Sequence, residues 1–330
     1  MSSEKKKYLK INQVYHGDSK EILKQIEPNS VALSLWSPPY HVGKEYEKDQ
    51  TYGEWLELLE DVISKHVEIL KPGGFLAINI DDILSFPDPQ MPRIQAANKT
   101  KLRVGVTKEE ILKVLEEQPG LNRRELAKIF GCSEQTIDRR LNGNNIRGGK
   151  YNVQTRVKLV GGIVEEFAYN AGLFLYDRRV WVKDPAWQTS QWHSNSYRAV
   201  SEFEHVYIFW KPGETLVDRN KLTKEEWVEW GSRGVWNIPS VRRNDDHVAK
   251  FPIELPRRII KLLSEENDVI LDCFLGSGTS AVAAIIEKRN FIGIEKEEKY
   301  AMLARKNISL AMNEAAEKTD GVRYQQISLL

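Results

Sequence analysis

The chain has 330 residues, of which 41% are hydrophobic and nine are tryptophan, so it can bury one large core or two modest ones. It contains no run of about 18 apolar residues, and its N-terminus, MSSEKKKYLK, lacks the apolar stretch of a secretory signal. We therefore expect a soluble, cytoplasmic protein. The two cysteines, Cys132 and Cys273, lie in unrelated contexts, which argues against a disulfide framework and against a cysteine-based metal site.

The formal net charge of +1 conceals an uneven distribution of charge. Residues 99–158 contain 14 Lys and Arg but only 7 Asp and Glu, a local balance of +7, so the remainder of the chain carries −6. A compact basic segment on a nearly neutral chain indicates a polyanionic partner for that segment. A solvated helical surface would give the same composition.

The first part of the chain, residues 8–82, alternates short apolar runs with helical periodicity. Residues 31–36 (VALSLW) predict a buried strand and residues 55–70 an amphipathic helix. A turn at 71–74 (KPGG) then leads into a second predicted strand at 75–80. This alternation predicts an α/β fold.

Residues 107–141 have helical periodicity interrupted by a glycine. Leu126, Ala127 and Phe130 fall on one helical face, Gly131 supplies a turn, and Ser133 can cap the next helix. The pattern predicts a helix-turn-helix, although a plain helical hairpin has the same layout. The pattern resembles DNA-binding helix-turn-helix units, and this resemblance implies DNA contacts from Arg123, Arg124, Ser133, Glu134, Gln135, Thr136, Arg139 and Arg140.

The α/β pattern resumes near residue 157. It predicts a helix at 163–171 and strands at 174–182 and 204–210. Residues 185–246 are rich in Trp and Arg. This composition fits either a substrate-contacting lobe or an aromatic packing layer, and the sequence does not distinguish them.

A glycine loop follows another predicted strand, residues 268–272 (DVILD), and precedes a helix that starts near Ala281. This order surrounds a ligand with backbone N–H groups. The next strand, 291–294, ends at Glu295, where an acid can accept both hydroxyls of a ribose, so a dinucleotide is one reading. However, the third glycine of a dinucleotide loop is missing, and Asp272 would repel a diphosphate but attract a cationic amino group. The favoured ligand is therefore a nucleoside bearing an amino acid.

The tetrapeptide Ser37-Pro38-Pro39-Tyr40 directly follows the strand at 31–36. Its two prolines fix φ and remove two backbone donors, which leaves carbonyl groups that can only accept hydrogen bonds. The result is a rigid acceptor clamp beside an aromatic ring. A simple turn or a polyproline ligand is the alternative reading.

Together these motifs resemble the permuted, β-type amino-methyltransferases of DNA, which modify cytosine N4 or adenine N6. Residues 37–40 match the family's S/D/N-P-P-Y/F/W motif, residues 272–279 its glycine loop, and Glu295 its ribose acid. Further matches are Gly17-Asp18, His247, Ala249 and Phe251-Pro252. The similarity covers roughly residues 8–97 and 157–308. The helix-turn-helix lies outside the family's usual core and looks like an insertion.

The resemblance implies a doubly wound, mainly parallel sheet of the Rossmann-like class I methyltransferase type, with a target-recognition lobe. It also implies S-adenosylmethionine as cofactor, double-stranded DNA as substrate, a monomer or homodimer, and a cognate restriction endonuclease as a fitting partner. The residues expected at the cofactor are Asp18, His247, Phe251, Pro252, Asp272, Cys273, Phe274, Gly276, Ser277, Gly278, Thr279 and Glu295. For Asp18, a helix cap is an equally good reading.

In the implied reaction, the Ser37 side chain and the Pro38 carbonyl accept the two N–H groups of the target amine, and Tyr40 stacks on the flipped base. Serine at the first motif position resembles the cytosine-N4 enzymes, whereas adenine-N6 enzymes usually carry Asp or Asn there. Methylation at cytosine C5 needs an attacking thiolate, and neither cysteine lies in a suitable context. A DNA-binding regulator on a degenerate methylase fold is the alternative of a different class.

The predicted division of the chain follows these motifs. It comprises the catalytic half (8–98), the basic insert (99–156), a continuation of the methyltransferase domain (157–184), the target-recognition lobe (185–246), the cofactor-binding half (247–312) and a C-terminal tail (313–330).

Overall fold

The computed structural model describes residues 8–41, 50–91, 105–142, 154–185, 199–216, 218, 220–241 and 252–327. The chain forms two compact units, one from Met1–Ile83 with Lys158–Leu330 and one from Leu84–Val157. Within the described ranges, no helix is both long enough and apolar enough to cross a membrane. The finer division given above stays a prediction.

An eight-stranded sheet forms the centre of the first unit, in the order β1-β10-β9-β2-β3-β7-β6-β8. Across the described residues the strands are β1 (Gln13–His16), β2 (Val31–Trp36), β3 (Leu70–Ile80), β4 (Ile83–Asp88), β5 (Gln154–Lys158), β6 (Phe174–Val182), β7 (Phe203–Trp210), β8 (Val235–Asn237), β9 (Val269–Asp272) and β10 (Asn290–Glu295). Strands β4 and β5 pair with each other in a separate two-stranded sheet. The five strands from β1 to β3 in this order are parallel, whereas β7 is antiparallel to both β3 and β6. A mainly parallel α/β sheet is thus confirmed.

Helices connect these strands. They are α1 (Ser19–Ile22), α2 (Tyr52–Ile69), α3 (Lys108–Glu117), α4 (Arg123–Ile129), α5 (Glu134–Asn142), α6 (Gly161–Ala171), α7 (Lys224–Glu226), α8 (Glu254–Leu263), α9 (Thr279–Ile286) and α10 (Glu298–Ile327), with a 3₁₀ turn at Leu23–Gln25 and a π turn at Trp227–Gly231. Most of the segment predicted as a C-terminal tail therefore continues α10.

The predicted helix at 55–70 is confirmed, but it begins three residues earlier. Thr51 and Glu54 form a capping box, in which each side chain accepts the other residue's backbone N–H, so α2 starts at Tyr52. Similar small differences occur at α9, which starts at Thr279, and at β10, which includes Asn290 and Glu295.

The turn predicted at residues 71–74 is wrong, because this segment belongs to β3. Gly73 has a φ of +80°, and the register against β2 shifts here, so the glycines make an irregularity inside a strand. The segment stays extended because Gly73 N–H donates to Lys211 O, and Lys211 N–H donates to Gly74 O, both at 3.0 Å. A side chain at Gly73 would clash with the backbone of Glu214.

The aromatic stretch contributes to the core in its described part. Trp230 and Trp236 are buried with Trp181, and the rings of Trp230 and Trp236 meet edge to face with centroids 6.3 Å apart. These residues therefore belong to an aromatic packing layer, one of the two interpretations of the sequence. Trp187, Trp192 and Tyr197 lie outside the described residues.

The second unit contains the predicted pair of helices, α4 and α5, with α3 packed beside them. Val106, Ile111, Leu126, Ala127 and Ile137 are buried together in a small separate core. Gly131 makes the turn with a φ of +57°, and Thr136 N–H donates to Ser133 Oγ at 3.2 Å. The helix-turn-helix layout is confirmed.

Candidate active site

Two loops leave the sheet at the same edge. Strands β2 and β9 are parallel neighbours, with Leu33 opposite Ile270 and Ser34 opposite Leu271. Because the carboxyl ends of parallel neighbours meet at one edge, the tetrapeptide 37–40 and the glycine loop emerge side by side, although over two hundred residues separate them in sequence. The Trp36 and Phe274 rings touch edge to face, with centroids 5.4 Å apart.

A buried histidine fixes Trp36 in this position. His66 on α2 is fully buried, its Nδ1 donates to Val62 O (2.6 Å), and its Nε2 accepts from the Trp36 indole N–H (3.2 Å). The Ser34 hydroxyl also contacts Nε2 at 2.7 Å. Burial lowers the pKa of His66 to about 4, so the ring is neutral and Nε2 can accept.

The turn at residues 37–40 is held by side chains from two strands, β3 and β7, and from helix α2. The Ser37 hydroxyl donates to Tyr40 Oη (3.0 Å), and Tyr40 Oη donates to Glu204 Oε2 (2.7 Å). Asn79 Nδ2 donates to the same Tyr40 oxygen (3.0 Å) and to Glu204 Oε2 (2.7 Å). The Trp55 indole N–H donates to Pro39 O (2.6 Å), which ties the turn to α2, and Pro38 is buried.

Sequence reasoning missed the polar residues behind this turn. Glu204 is the second residue of β7 and forms an ion pair with Lys183, which follows β6. Burial raises the pKa of Asp81 to about 6, and the negative charge of Glu204 adds to this effect. The antiparallel pairing of β3 with β7 brings Asn79 and Glu204 together, and no motif marks either residue.

The glycine loop has the backbone that its sequence predicts. Gly276 and Gly278 have φ values of +54° and +91°, a region that favours glycine, and α9 begins at the next residue. Gly278 N-caps α9 without a side-chain hydrogen bond, so the N–H groups of the first turn face the loop. A Cβ at Gly278 would lie only 3.2 Å from Ala304.

Asp272 holds this loop together. It is buried, one carboxyl oxygen accepts from Phe274 N–H (2.9 Å), and the other accepts from the Ser280 hydroxyl. Its proposed contact with the cofactor's ammonium group remains a prediction. Burial raises the pKa of Asp272 to about 7, with a further contribution from the charge of Glu295.

This pKa predicts the pH dependence of stability at Asp272. Folding raises the pKa from 3.8 to about 7, so the stabilisation is complete below 3.8 and is lost as the pH rises through 7. At about 1.4 kcal/mol per pKa unit, the loss is at most about 4 kcal/mol. We expect the unfolding free energy of the wild type, relative to Asp272→Asn, to fall between pH 4 and pH 8 in denaturant titrations. A difference independent of pH would contradict this assignment.

Two further acids lie at the same edge. Glu295, at the end of β10, is buried and accepts from Gly276 N–H (2.7 Å) and Glu297 N–H (2.8 Å), and burial raises its pKa. Asp18 follows β1, which pairs with β10, and its carboxylate accepts from Lys20 N–H (2.8 Å). The helix-cap reading of Asp18 is therefore confirmed. The Ser19 hydroxyl donates to Cys273 O, which joins this corner to the glycine loop.

The other residues predicted to contact the cofactor differ in how exposed they are. Phe274, Gly276 and Thr279 are partly exposed, whereas Cys273, Ser277 and Gly278 are buried and shape the loop from beneath. Pro252 precedes α8, and its carbonyl accepts from Leu255 N–H. His247 and Phe251 lie outside the described residues.

The DNA-binding candidates of the second unit are also not equivalent. Glu134, Gln135 and Arg139 are exposed on α5. Arg123 forms an ion pair with Asp138 (3.0 Å), and Arg140 Nε donates to Val106 O (2.8 Å), so these two arginines help to hold the unit together. Ser133 and Thr136 form the helix cap, and Arg124 is exposed.

Glu295 and the glycine loop, which together we call the cofactor edge, have functional groups suited to binding a nucleoside. Each carboxylate oxygen of Glu295 retains a second lone pair for a ribose hydroxyl, and the first turn of α9 suits a carboxylate. An amino-acid-bearing nucleoside such as S-adenosylmethionine fits these residues. The sheet order, the glycine loop and the adjacent tetrapeptide define a class I methyltransferase.

Comparison with known proteins identifies the family. The family model described as DNA methylase (N6_N4_Mtase) matches residues 31–306. The chain is 66% identical over 314 residues to the type II methyltransferase M.BglI of Bacillus subtilis, covering 94% of this chain and 90% of that protein. The chain therefore belongs to the N6/N4 family of DNA methyltransferases, which depend on S-adenosylmethionine.

Solved structures agree on the fold. The putative DNA modification methylase TTHA0409 of Thermus thermophilus, complexed with S-adenosyl-L-methionine, has a TM-score of 0.58 at 22% identity and covers 91% of this chain and 93% of that one. The PvuII cytosine-N4-specific DNA methyltransferase has a TM-score of 0.52 at 18% identity, with 93% of each chain covered. At these identities the likeness concerns the fold alone.

Proposed function

We propose that this DNA methyltransferase modifies the exocyclic N4 amine of cytosine within a specific sequence of duplex DNA, after the base has flipped out. The observation that carries the proposal is Ser37, a serine at the first position of the catalytic motif, which emerges beside the glycine loop. A hydroxyl at this position resembles the cytosine-N4 enzymes. The adenine-N6 enzymes usually have Asp or Asn there.

The residues of the turn are suited to activating an amine. The amine lone pair is delocalised into the ring, so hydrogen bonds from its N–H groups to fixed acceptors make it more available. Ser37 Oγ and the Pro38 carbonyl are these acceptors, and both are held by a rigid turn that Trp55 and Tyr40 anchor. The Tyr40 ring stacks on the base.

The bound S-adenosylmethionine supplies an electrophilic methyl group on a sulfonium. The protein's contribution is to hold the ribose at Glu295, to place the amino-acid end at the first turn of α9, and to orient the amine in line with the methyl group. As the amine nitrogen bonds to the methyl carbon, the carbon–sulfur bond would break to release the thioether product, and the methylated amine would then lose one proton to solvent, so no covalent nucleophile is needed. The thiol of Cys273 is buried and its pKa lies well above its usual range, so it is a poor one.

Identification of the methylated base tests the proposal. Duplex DNA modified by the protein with methyl-labelled S-adenosylmethionine is digested to nucleosides and analysed by mass spectrometry. We expect the label in N4-methylcytosine. Label only in N6-methyladenine would overturn the choice of base, and a protein that binds the cofactor but labels no DNA would favour the regulator hypothesis.

We further propose that the helix-turn-helix of the second unit contacts DNA through the exposed face of α5. Arg139→Ala should weaken DNA binding and lower the slope of log affinity against log salt by about 0.9, because one phosphate contact is lost. Cofactor affinity should not change. Lys113→Ala on α3 removes the same charge from an exposed position and serves as the control. Equal salt slopes for both variants and the wild type would remove Arg139 from the interface.

The similarity to the type II methyltransferase M.BglI supports a role in a restriction-modification system, with a cognate endonuclease as partner. Plasmid DNA from cells that express the protein should resist one sequence-specific endonuclease of a panel. Plasmid DNA from cells that express Ser37→Ala should remain sensitive. Equal sensitivity of the two plasmids to a panel that covers the methylated sequence would contradict a protective role.

A further inference from the structure

Tyr40 has a hydrogen-bonding role that its motif does not require. The family motif accepts Tyr, Phe or Trp at this position, and stacking on a base needs only a ring. In this chain the Tyr40 hydroxyl nevertheless has three polar side chains within 3.0 Å, those of Ser37, Asn79 and Glu204. Because buried polar groups need hydrogen-bond partners, this grouping requires a definite donor and acceptor at each contact.

The chemistry of these groups sets the direction of each hydrogen bond. The Asn79 amide nitrogen can only donate, and the Glu204 carboxylate can only accept. The Tyr40 hydroxyl has two acceptors, the Glu204 carboxylate at 2.7 Å and the Asn79 backbone carbonyl at 3.2 Å. The closer, charged acceptor is the stronger one, so the proton goes to Glu204, and the Tyr40 oxygen accepts from the Asn79 side chain and from Ser37. Burial and the charge of Glu204 raise the pKa of Tyr40 well above its usual range, so the hydroxyl keeps the proton that it donates.

These hydrogen bonds also determine whether Ser37 donates or accepts at the substrate. Its proton is engaged by Tyr40, so its lone pairs are left to accept a hydrogen bond. Without the charged acceptor, the Tyr40 proton is left with two neutral acceptors, the Asn79 backbone carbonyl at 3.2 Å and the nearer Ser37 hydroxyl at 3.0 Å. In the molecules where it turns towards Ser37, the serine hydroxyl would point its own proton at the substrate amine. A serine that donates to the amine would not activate it.

The surroundings of Glu204 keep this direction fixed. Glu204 is 8% exposed and accepts from Tyr40, Asn79 and Lys183. Asn79 is 3% exposed, and its side-chain carbonyl has no hydrogen-bond partner among the described residues, while its amide nitrogen donates to Glu204 and Tyr40. A buried acceptor without a partner is unfavourable, which shows how strongly this amide is committed to its two donations.

We propose that Glu204 is a positioning residue for methyl transfer, which acts through Tyr40 to make Ser37 a hydrogen-bond acceptor for the target amine. The inference rests on the proposed role of Ser37 at the amine. It assigns a function to a residue on β7, outside both sequence motifs of the site. Charge-anchored chains of hydrogen bonds are cooperative, so the carboxylate also makes the serine oxygen a better acceptor.

Single-turnover methyl transfer tests this role. Glu204→Gln keeps the size of the side chain but allows its amide to donate to Tyr40, and Tyr40→Phe keeps the ring but removes the hydroxyl. Each variant should lower the rate of methyl transfer about 10- to 100-fold, with dissociation constants for S-adenosylmethionine and DNA within threefold of the wild type. The double variant should be no slower than the slower single one, because both act through one chain of hydrogen bonds.

The control is Glu287→Gln. Glu287 is also an ion-paired carboxylate, and its side chain is 11% exposed, compared with 10% for the side chain of Glu204 alone. However, Glu287 caps the far end of α9. This variant should transfer methyl groups at the wild-type rate. If Glu204→Gln does not fold, Tyr40→Phe decides alone, since a wild-type rate in that variant overturns the proposal.

Four outcomes distinguish failure of the positioning role from failure of the proposed function. A wild-type rate in Glu204→Gln overturns the positioning role, and so do effects of the two single variants that multiply in the double variant. A fall in cofactor or DNA affinity that accounts for the slower rate would show a merely structural role and also overturns it. Failure of the wild-type protein to label any DNA would instead contradict the proposed function.

Discussion

Ser37→Ala should lower the rate of methyl transfer by about 100-fold or more while leaving the affinity for S-adenosylmethionine unchanged. The variant loses a hydrogen-bond acceptor that matters when the amine attacks, and losses of such preorganised groups typically cost two to three powers of ten. The Ser37 hydroxyl donates to Tyr40, whereas the Glu295 carboxylate accepts from Gly276 N–H, so the hydrogen bonds that hold Glu295 to the glycine loop should remain intact. Single-turnover kinetics and calorimetric titration measure the two quantities separately.

Ser30→Ala is the matched control. Ser30 precedes the opposite end of the same strand, β2, where its hydroxyl donates to Glu27 O at 2.7 Å. Its loss should leave methyl transfer at the wild-type rate. If Ser37→Ala weakened cofactor binding as much as it slowed transfer, the tetrapeptide would belong to the binding site and not to the chemistry.

Glu295→Ala should weaken S-adenosylmethionine binding by roughly 100-fold, because the variant loses the acceptor for two ribose hydroxyls. Part of the effect arises through the loop, since the Glu295 carboxylate also accepts from Gly276 N–H at 2.7 Å. Removing it leaves that donor without its partner and loosens the turn. Calorimetric titration with S-adenosylmethionine gives the affinity.

Glu266→Ala is the control for Glu295→Ala, because it removes the same negative charge at a different position. Glu266 is exposed before β9, at the opposite end of that strand from the glycine loop, and pairs with Lys288 (3.1 Å). This variant should bind the cofactor like the wild type. Unchanged cofactor affinity in Glu295→Ala would mean that the ribose lies elsewhere, and the nucleoside assignment of this corner would be wrong.

The sequence was sufficient to predict the two halves of the site. The tetrapeptide and the glycine loop each follow a short apolar run, and parallel strands bring such loops to one edge. Their adjacency was still a hypothesis, because sequence does not state which strands are neighbours. The pairing of Ser34 with Leu271 confirms it.

The polar residues behind the turn could not be predicted in this way. Glu204 and Asn79 reach Tyr40 because β7 runs antiparallel to β3, with Asn79 opposite Val206. That register depends on tertiary pairing, and neither residue stands in a recognisable motif. Asp272 shows a related limit, since its position before the glycines suggested a ligand contact while its carboxylate holds Phe274 and Ser280.

The prediction of a turn at residues 71–74 (KPGG) was wrong for a different reason. Pro and Gly usually mark turns, so local propensity predicted one at residues 71–74. Backbone hydrogen bonds with Lys211 keep the segment extended, and Gly73 is needed because the backbone of Glu214 approaches too closely for any side chain. Here tertiary contacts override local preference.

A crystal structure with S-adenosylhomocysteine bound tests most directly whether the two loops form one site. Our account predicts that the ribose lies at Glu295 and that the sulfur faces the Ser37–Tyr40 turn. A nucleoside bound at another edge of the sheet, or a sulfur that faces away from Ser37, would contradict it.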